Sequence, residues 1–193
     1  MSSGIAEPPT GAAALPATEE PLYEIVGGEC VELAPMGIYA NLIAARLFIA
    51  VESFLQTHPL GTVVMEALLI LDREANLRRR PDVAFVAVNR WPLDREVPET
   101  GDWDVVPTLA IEVLSPHDVS TEVEGKVLEY FAHGVQAVWV VHPEHRRVYC
   151  YSAANETTIL DEQSTLTGGE LLPGLTIPLT NLFRRTAAAA KPQ

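Results

Sequence analysis

The chain is short of basic residues, of cysteine and of uninterrupted apolar runs, and each shortage narrows what it can do. Its 13 lysines and arginines face 26 aspartates and glutamates, a net charge of −13. An acidic surface opposes the phosphate contacts that supply most non-specific affinity for nucleic acid. Any nucleic-acid role must therefore rest on a local basic patch, a bound metal or a partner subunit. The two cysteines, Cys30 and Cys150, build neither a disulfide framework nor a metal-ligand spacing, and read as ordinary half-buried thiols. No apolar run reaches the roughly 20 residues of a membrane span, and no basic stretch leads into an apolar one at the N-terminus. A cytoplasmic protein with no membrane partner is the expectation.

What is present suffices for one domain with a real core: 193 residues, 48% of them apolar. Residues 1–20 are rich in Ala, Pro, Gly, Ser, Thr and Glu without periodicity and read as a flexible tail, with a second loose tail over 186–193. Between them, 21–185 reads as a single domain. Tyr23 to Val26 and Glu29 to Leu33 alternate around Gly27-Gly28, a hairpin signal in which no chemistry is evident. Apolar residues at helical spacing predict a helix from Tyr39 to about Gln56, with Arg46 and Glu52 toward a solvated face. Thr62 to Leu71 predicts one buried strand. Its lone Glu66 needs either a wet or metal-lined cavity or an exposed strand face, and the exposed face is favoured. Asp72 to Leu77 reads as a turn, and Arg78-Arg79-Arg80 as the approach to a strand over Asp82 to Val88.

A long polar loop with Trp91 and Trp103 leads to a strand from Leu109 to Leu114, then to a helix from Val119 to Ala132. Ala137 to Val141 and Arg147 to Tyr151 form a second hairpin. Strands near Thr157 to Leu160 and Leu175 to Ile177, and a helical turn from Leu179 to Phe183, close the domain. The fold class is α/β or α+β: a mixed sheet flanked by helices, with hairpins toward both ends.

Chemistry concentrates in three residues. Asp82 starts one strand, Glu112 lies within another, and Lys126 borders the apolar stripe Val123, Val127, Tyr130 and Phe131 of the following helix. Glu122 and Glu129 fall farther round and read as solvent-exposed. On neighbouring strands the two carboxylates can converge on one hard cation, Mg²⁺ or Mn²⁺. The Lys126 stem can cross apolar surface and deliver its ammonium to the same cavity. Isolated acids at strand ends are commonly capping or solvated groups, so residue types alone leave both readings open.

The wording around these residues adds information. Pro81-Asp82-Val83, Ile111-Glu112-Val113-Leu114-Ser115-Pro116, Lys126-x-x-x-Tyr130 and Gly134-Val135-x-x-x-Trp139-Val140-Val141 together resemble a large bacterial family of restriction-endonuclease-like proteins. That family lies within the PD-(D/E)XK nuclease superfamily and was long catalogued as a domain of unknown function. The resemblance runs from about Tyr23 to Phe183. It implies a restriction-endonuclease-like core, Asp82 as the motif aspartate, Glu112 as the (D/E), and Mg²⁺ or Mn²⁺ bound with help from the Val113 carbonyl. The motif lysine would fall at Leu114, so its role passes to Lys126. It also implies a nucleic-acid partner, DNA before RNA, and a homodimer. Two positions depart from the family pattern: Tyr39 stands where a histidine is frequent, and Val141-His142-Pro143 replaces a Val-Asp-Pro turn.

The leading expectation is a metal-dependent endonuclease hydrolysing phosphodiester bonds. The alternative is a catalytically silent binding or oligomeric scaffold that retains the fold, favoured by the acidic charge and by Leu114. A hydrolase of small phosphorylated molecules is a third reading. Arg78 to Arg80 offer either a phosphate grip or a charged strand approach, and the tryptophans either stack on bases or fold back on the core. His142 and His145 lack a third ligand for zinc, and His133 suits a helix C-terminus.

Overall fold

The computed structural model describes residues 21–116 and 118–185. The two expected tails lie outside the described residues. Strands β1 (Tyr23–Val26) and β2 (Glu29–Glu32) form the N-terminal hairpin, turning at Gly27 and Gly28 with φ of 59° and 83°. Such angles suit glycine, which has no Cβ to clash. Helix α1 (Ile38–Leu55) buries Ala40, Ile43, Ala44, Leu47, Val51 and Leu55 along one stripe. Its 18 residues, of mean hydropathy 1.6, are long and apolar enough by composition to cross a membrane. The sequence reading missed this because Asn41, Arg46 and Glu52 interrupt the run. Here the buried stripe belongs to the core.

The single strand expected over Thr62 to Leu71 is two strands, β3 (Gly61–Met65) and β4 (Leu69–Asp72), in different sheets. The break falls at Glu66, whose φ is 47°. A left-handed residue cannot continue an extended ladder. Asp72 Oδ1 accepts the N–H groups of Glu74 and Ala75 at 2.8 and 3.0 Å, shaping the following turn. Next comes β5 (Leu77–Arg79), which pairs with both β4 and β1 rather than merely leading into the next strand.

The remaining elements are β6 (Val83–Ala87), β7 (Leu109–Val113), α2 (Ser120–Ala132), β8 (Ala137–His142), β9 (Arg147–Ala153), β10 (Glu156–Leu160), β11 (Thr165–Gly168), β12 (Leu172–Pro178) and α3 (Leu179–Leu182). Among the described residues there are three sheets: β10-β9-β8-β7-β6-β3, β2-β1-β5-β4, and the β11-β12 hairpin. In the six-stranded sheet only β7 and β8 run parallel, and α2 is the crossover that such a pair requires. β11 escaped the sequence reading because it spans four residues with only Leu166 and Gly168 buried.

Strand alternation sorts the core into layers. Val83, Phe85, Leu109, Ile111, Val113, Trp139 and Val141 meet α1 on one face of the large sheet. Ala110, Val138 and Val140 meet Val127 and Tyr130 of α2 on the other, closed off by Leu71 and Leu77 of the four-stranded sheet. Trp91 and Trp103 fold onto Leu69, Ala84 and Val86, 6% and 5% exposed, so they offer no open stacking faces. On the α1 side the Tyr39 hydroxyl donates to the Phe183 carbonyl at 2.6 Å. Arg46, expected on a solvated face, instead donates to the carbonyls of Leu182 and Arg184 at 2.7 and 2.6 Å. Both residues tie the C-terminal segment to α1.

Candidate active site

The same alternation aims the candidate side chains. In β7, Leu109, Ile111 and Val113 point to α1, which leaves Ala110 and Glu112 facing α2. In β6, Val83 and Phe85 point to α1, so Asp82, in phase with Ala84, belongs to the opposite face. The antiparallel register pairs Val83 with Ile111, and one further step sets Asp82 opposite Glu112. The Val113 N–H donates to Asp82 Oδ2 at 2.5 Å, which fastens that carboxylate to the end of β7. Lys126 comes in from α2, one turn before Tyr130, with Nζ 3.8 Å from Glu112 Oε2. Asp82, Glu112 and Lys126 therefore share one corner of the α2 face.

Electrostatics divides these groups sharply. Burial pushes the pKa of Asp82 well above the usual carboxylate range, and repulsion from Glu112 pushes it further against the pull of the Val113 N–H and Lys126. Burial also raises the pKa of Glu112, which is 8% exposed, although Lys126 and the Tyr130 hydroxyl favour its charged form. That hydroxyl donates to Glu112 Oε1 at 2.6 Å. Burial resists charge on Lys126 too, but Glu112 and Glu24 outweigh it and hold the ammonium protonated.

Glu24 is the residue the sequence reading missed. It is 1% exposed, and its Oε1 accepts from Lys126 Nζ at 3.1 Å and from the Arg80 N–H at 3.0 Å. Its Oε2 accepts from Arg79 at 2.7 Å. Burial opposes its ionisation, yet Lys126, the Arg80 N–H and Arg79 together hold its pKa below the usual value. One signal was available: in β1, Glu24 shares a face with Val26, which packs on the α2-side core. Glu129, expected in solvent, is half-buried and paired with Arg79. It sits at the helix edge over β5, where Arg79 covers it.

All three consecutive arginines have partners within the fold, two of them ion-paired to carboxylates and the third bonded to backbone carbonyls. Arg78 pairs with Asp102 at 2.6 Å, Arg79 with Glu24 and Glu129, and Arg80 donates to the carbonyls of Tyr23 and Glu66. Arg78 and Arg79 are ion-paired residues of strand β5, whereas among the described residues the Arg80 side chain donates only to carbonyls, and it lines a cavity. His133 Nδ1 lies 2.8 Å from the Glu129 carbonyl at the end of α2. His142 packs edge-on against Tyr149, its ring 4.4 Å away.

Glu24, Asp82, Glu112 and Glu129 supply four carboxylates to this corner, while Arg79 and Lys126 supply two cations. With all six ionised, two negative charges would be left over at Asp82 and Glu112, the state that their raised pKa values oppose. A divalent cation would balance that excess, and carboxylate oxygen suits Mg²⁺ or Mn²⁺. Among the described residues no group of three or more His, Cys, Asp or Glu converges to hold a metal unaided. Two carboxylates alone would need backbone carbonyl, water and substrate oxygen to complete the shell of such an ion.

A cavity of about 480 Å³ opens beside this corner, lined among others by Tyr23, Glu66, Arg80, Asp102 and Trp103. None of Asp82, Glu112 and Lys126 lines it. It borders the site through Glu66, whose N–H donates to the Asp82 carbonyl at 3.2 Å and whose charge also repels that of Asp82. Glu66 is thus half-buried at a bend against a cavity, not on the exposed strand face that was favoured.

Residues 12–180 match the model of Uma2, described as "Putative restriction endonuclease". The chain belongs to the Uma2 family. A crystal structure described as "a putative nuclease belonging to DUF820", from Anabaena variabilis ATCC 29413, superposes with a TM-score of 0.71 at 23% identity. The match covers 88% of this chain and 93% of that one. At that identity the likeness establishes the fold, which is the nuclease-like mixed sheet expected from the motifs. No curated protein matches the chain. The residue two after Glu112 is Leu114, and the ammonium beside Glu112 comes from Lys126.

Proposed function

We propose that this Uma2 protein is a metal-dependent endonuclease that hydrolyses phosphodiester bonds, with DNA as the first substrate to test. One observation carries the reading: half-buried Asp82, just before β6, stands opposite buried Glu112 of β7, both of raised pKa, with a lysine ammonium 3.8 Å from Glu112. Perturbed acids grouped with a charge partner are what hydrolytic sites require. Asp82 and Glu112 would hold Mg²⁺ or Mn²⁺, with the Val113 carbonyl beside them. When bound, such an ion lowers the pKa of its water and neutralises charge on the phosphate.

The chain's own residues do the rest. The Val113 N–H orients the Asp82 carboxylate, and Tyr130 orients Glu112, each fixing one oxygen and leaving the other for the ion. Lys126 supplies positive charge for the phosphate oxygens as charge develops in the transition state. Arg78 and Arg79 are tied up in ion pairs with carboxylates, which leaves Lys126 as the ammonium beside Glu112. The presence of Lys126 also answers the loss of lysine at position 114, which had favoured an inert scaffold.

The test is cleavage by purified protein on double- and single-stranded DNA and on RNA, with Mg²⁺ or Mn²⁺ and with chelator. Metal-dependent cleavage lost in Asp82→Asn and Glu112→Gln is the expected result. No cleavage of any nucleic acid, together with no Mn²⁺ binding that depends on Asp82, would return the protein to the scaffold reading.

A further inference from the structure

We propose that Glu24, on the N-terminal hairpin, is a positioning residue that holds the Lys126 ammonium at the site. For its kinetic consequence this rests on the nuclease reading above; for the placement of the ammonium it rests on geometry alone. Lysine is a poor fixed point. Its charge rides on a flexible four-carbon stem with three rotatable donors, and nothing in α2 itself anchors Nζ. Glu112 lies 3.8 Å away, beyond a hydrogen bond, whereas Glu24 Oε1 lies at 3.1 Å. The hydrogen bond that orients the ammonium therefore goes to the hairpin, and Oε2 of the proposed metal ligand Glu112 is not taken by it.

Glu24 is itself held rigidly. The Arg80 backbone N–H fixes the oxygen that receives Lys126, and Arg79 fixes the other oxygen while Glu129 grips Arg79 from behind. If Glu24 served only to fasten the hairpin to β5, Arg79 and the Arg80 N–H would suffice, and no contact with α2 would be needed. Residues 102 positions apart in sequence meet here. The hairpin is thereby part of the catalytic arrangement and not merely a flap of sheet.

The chain has only two lysines, Lys126 and Lys191, so one ammonium can be read directly. In ¹⁵N spectra of the wild-type protein, the Lys126 NH₃⁺ signal should exchange slowly with water and show coupling across a hydrogen bond to the side-chain carboxylate carbon of Glu24. An ammonium exchanging like a free surface lysine, or coupled to Glu112 alone, overturns the proposal whether or not the protein cleaves anything. Kinetically, Glu24→Gln should lower kcat by about 10–100-fold with KM within about twofold, the usual cost of removing a partner that orients a functional group. Glu24→Gln combined with Lys126→Met should be no slower than Lys126→Met alone, because both changes remove one interaction. Losses that multiply in the double variant, or wild-type kcat in Glu24→Gln, overturn the proposal. Should Glu24→Gln fail to fold, the wild-type ammonium measurement decides. An inactive wild-type enzyme with the expected ammonium signal would reject the nuclease reading and leave Glu24's role as holder of Lys126 standing.

Discussion

The two faces of the six-stranded sheet are built from the same strands and behave as opposites. On the α1 face, Leu109, Ile111, Val113, Trp139 and Val141 pack against Leu47 and Val51. Apart from Tyr39 and Arg46 holding the C-terminal segment, that face is held by burial. On the α2 face the same β7 backbone presents Glu112, and Asp82, Lys126, Glu24 and Arg79 gather round it. One face stores stability and the other gives some of it up, grouping two carboxylates where burial and repulsion between them oppose ionisation. A one-residue slip in β7 would exchange the two, since its side chains alternate with period two.

The contrast is sharpest in catalysis. Lys126→Met keeps the apolar stem and removes the charge, and should lower cleavage by about 10²–10³-fold, as losing a preorganised charge at a transition state does. Metal affinity should hold or rise, because a positive charge beside the ion has gone. Retained cleavage would take Lys126 out of the chemistry and leave the two faces alike.

Next in size is a cavity on the other face. Leu47→Ala should cost about 2–5 kcal/mol in denaturant unfolding, the range for removing a buried leucine. Turnover per folded molecule should not change. A loss of turnover at constant folded fraction would mean that the α1 face reaches the site.

Asp82→Asn should act in the reverse direction. In metal-free protein at neutral pH it removes a carboxylate whose ionisation burial and Glu112 oppose, so the melting temperature should rise by about 2–4 °C, the shift that one kcal/mol produces in a domain of this size. The added stability that Mn²⁺ gives the wild type should disappear. An unchanged Mn²⁺ response would place the ion elsewhere.

The smallest effect is in pH. The folded-state pKa of Asp82 lies above its unfolded value, so its stabilising contribution is complete below the ordinary aspartate pKa and is lost as pH rises through the raised one. Glu24 has the opposite sign: its contribution is present above the ordinary glutamate pKa and is lost as pH falls through the lowered one. Metal-free wild type should therefore lose stability as pH rises from about 4 toward neutrality relative to Asp82→Asn. Glu24→Gln should remove part of the loss on acidification. Parallel curves for all three proteins would show that neither carboxylate differs between the folded and unfolded states.

Local spacing was enough to determine much of this protein. Alternation around Gly27-Gly28 marked the first hairpin, helical spacing marked α1 and α2, and Pro81 marked where β6 begins. The order of Asp82, Glu112 and Lys126 on strand, strand and helix was likewise legible, because a side chain's face follows from its phase within its own element. Only the tertiary structure decided what each polar face would meet. Glu24 looked like an ordinary hairpin carboxylate until β5 brought Arg79 beside it and α2 brought Lys126. Arg78 to Arg80 looked available to phosphate until Asp102, Glu24, Glu129 and two backbone carbonyls took them up. Glu66 looked like part of a strand until its left-handed backbone carried the chain from one sheet to the next. Periodicity within an element says which residues share a face. Whether a charge on that face becomes a solvated group, a buried ion pair or an uncompensated carboxylate depends on partners supplied by distant segments, and pairing of that kind leaves no local pattern to read.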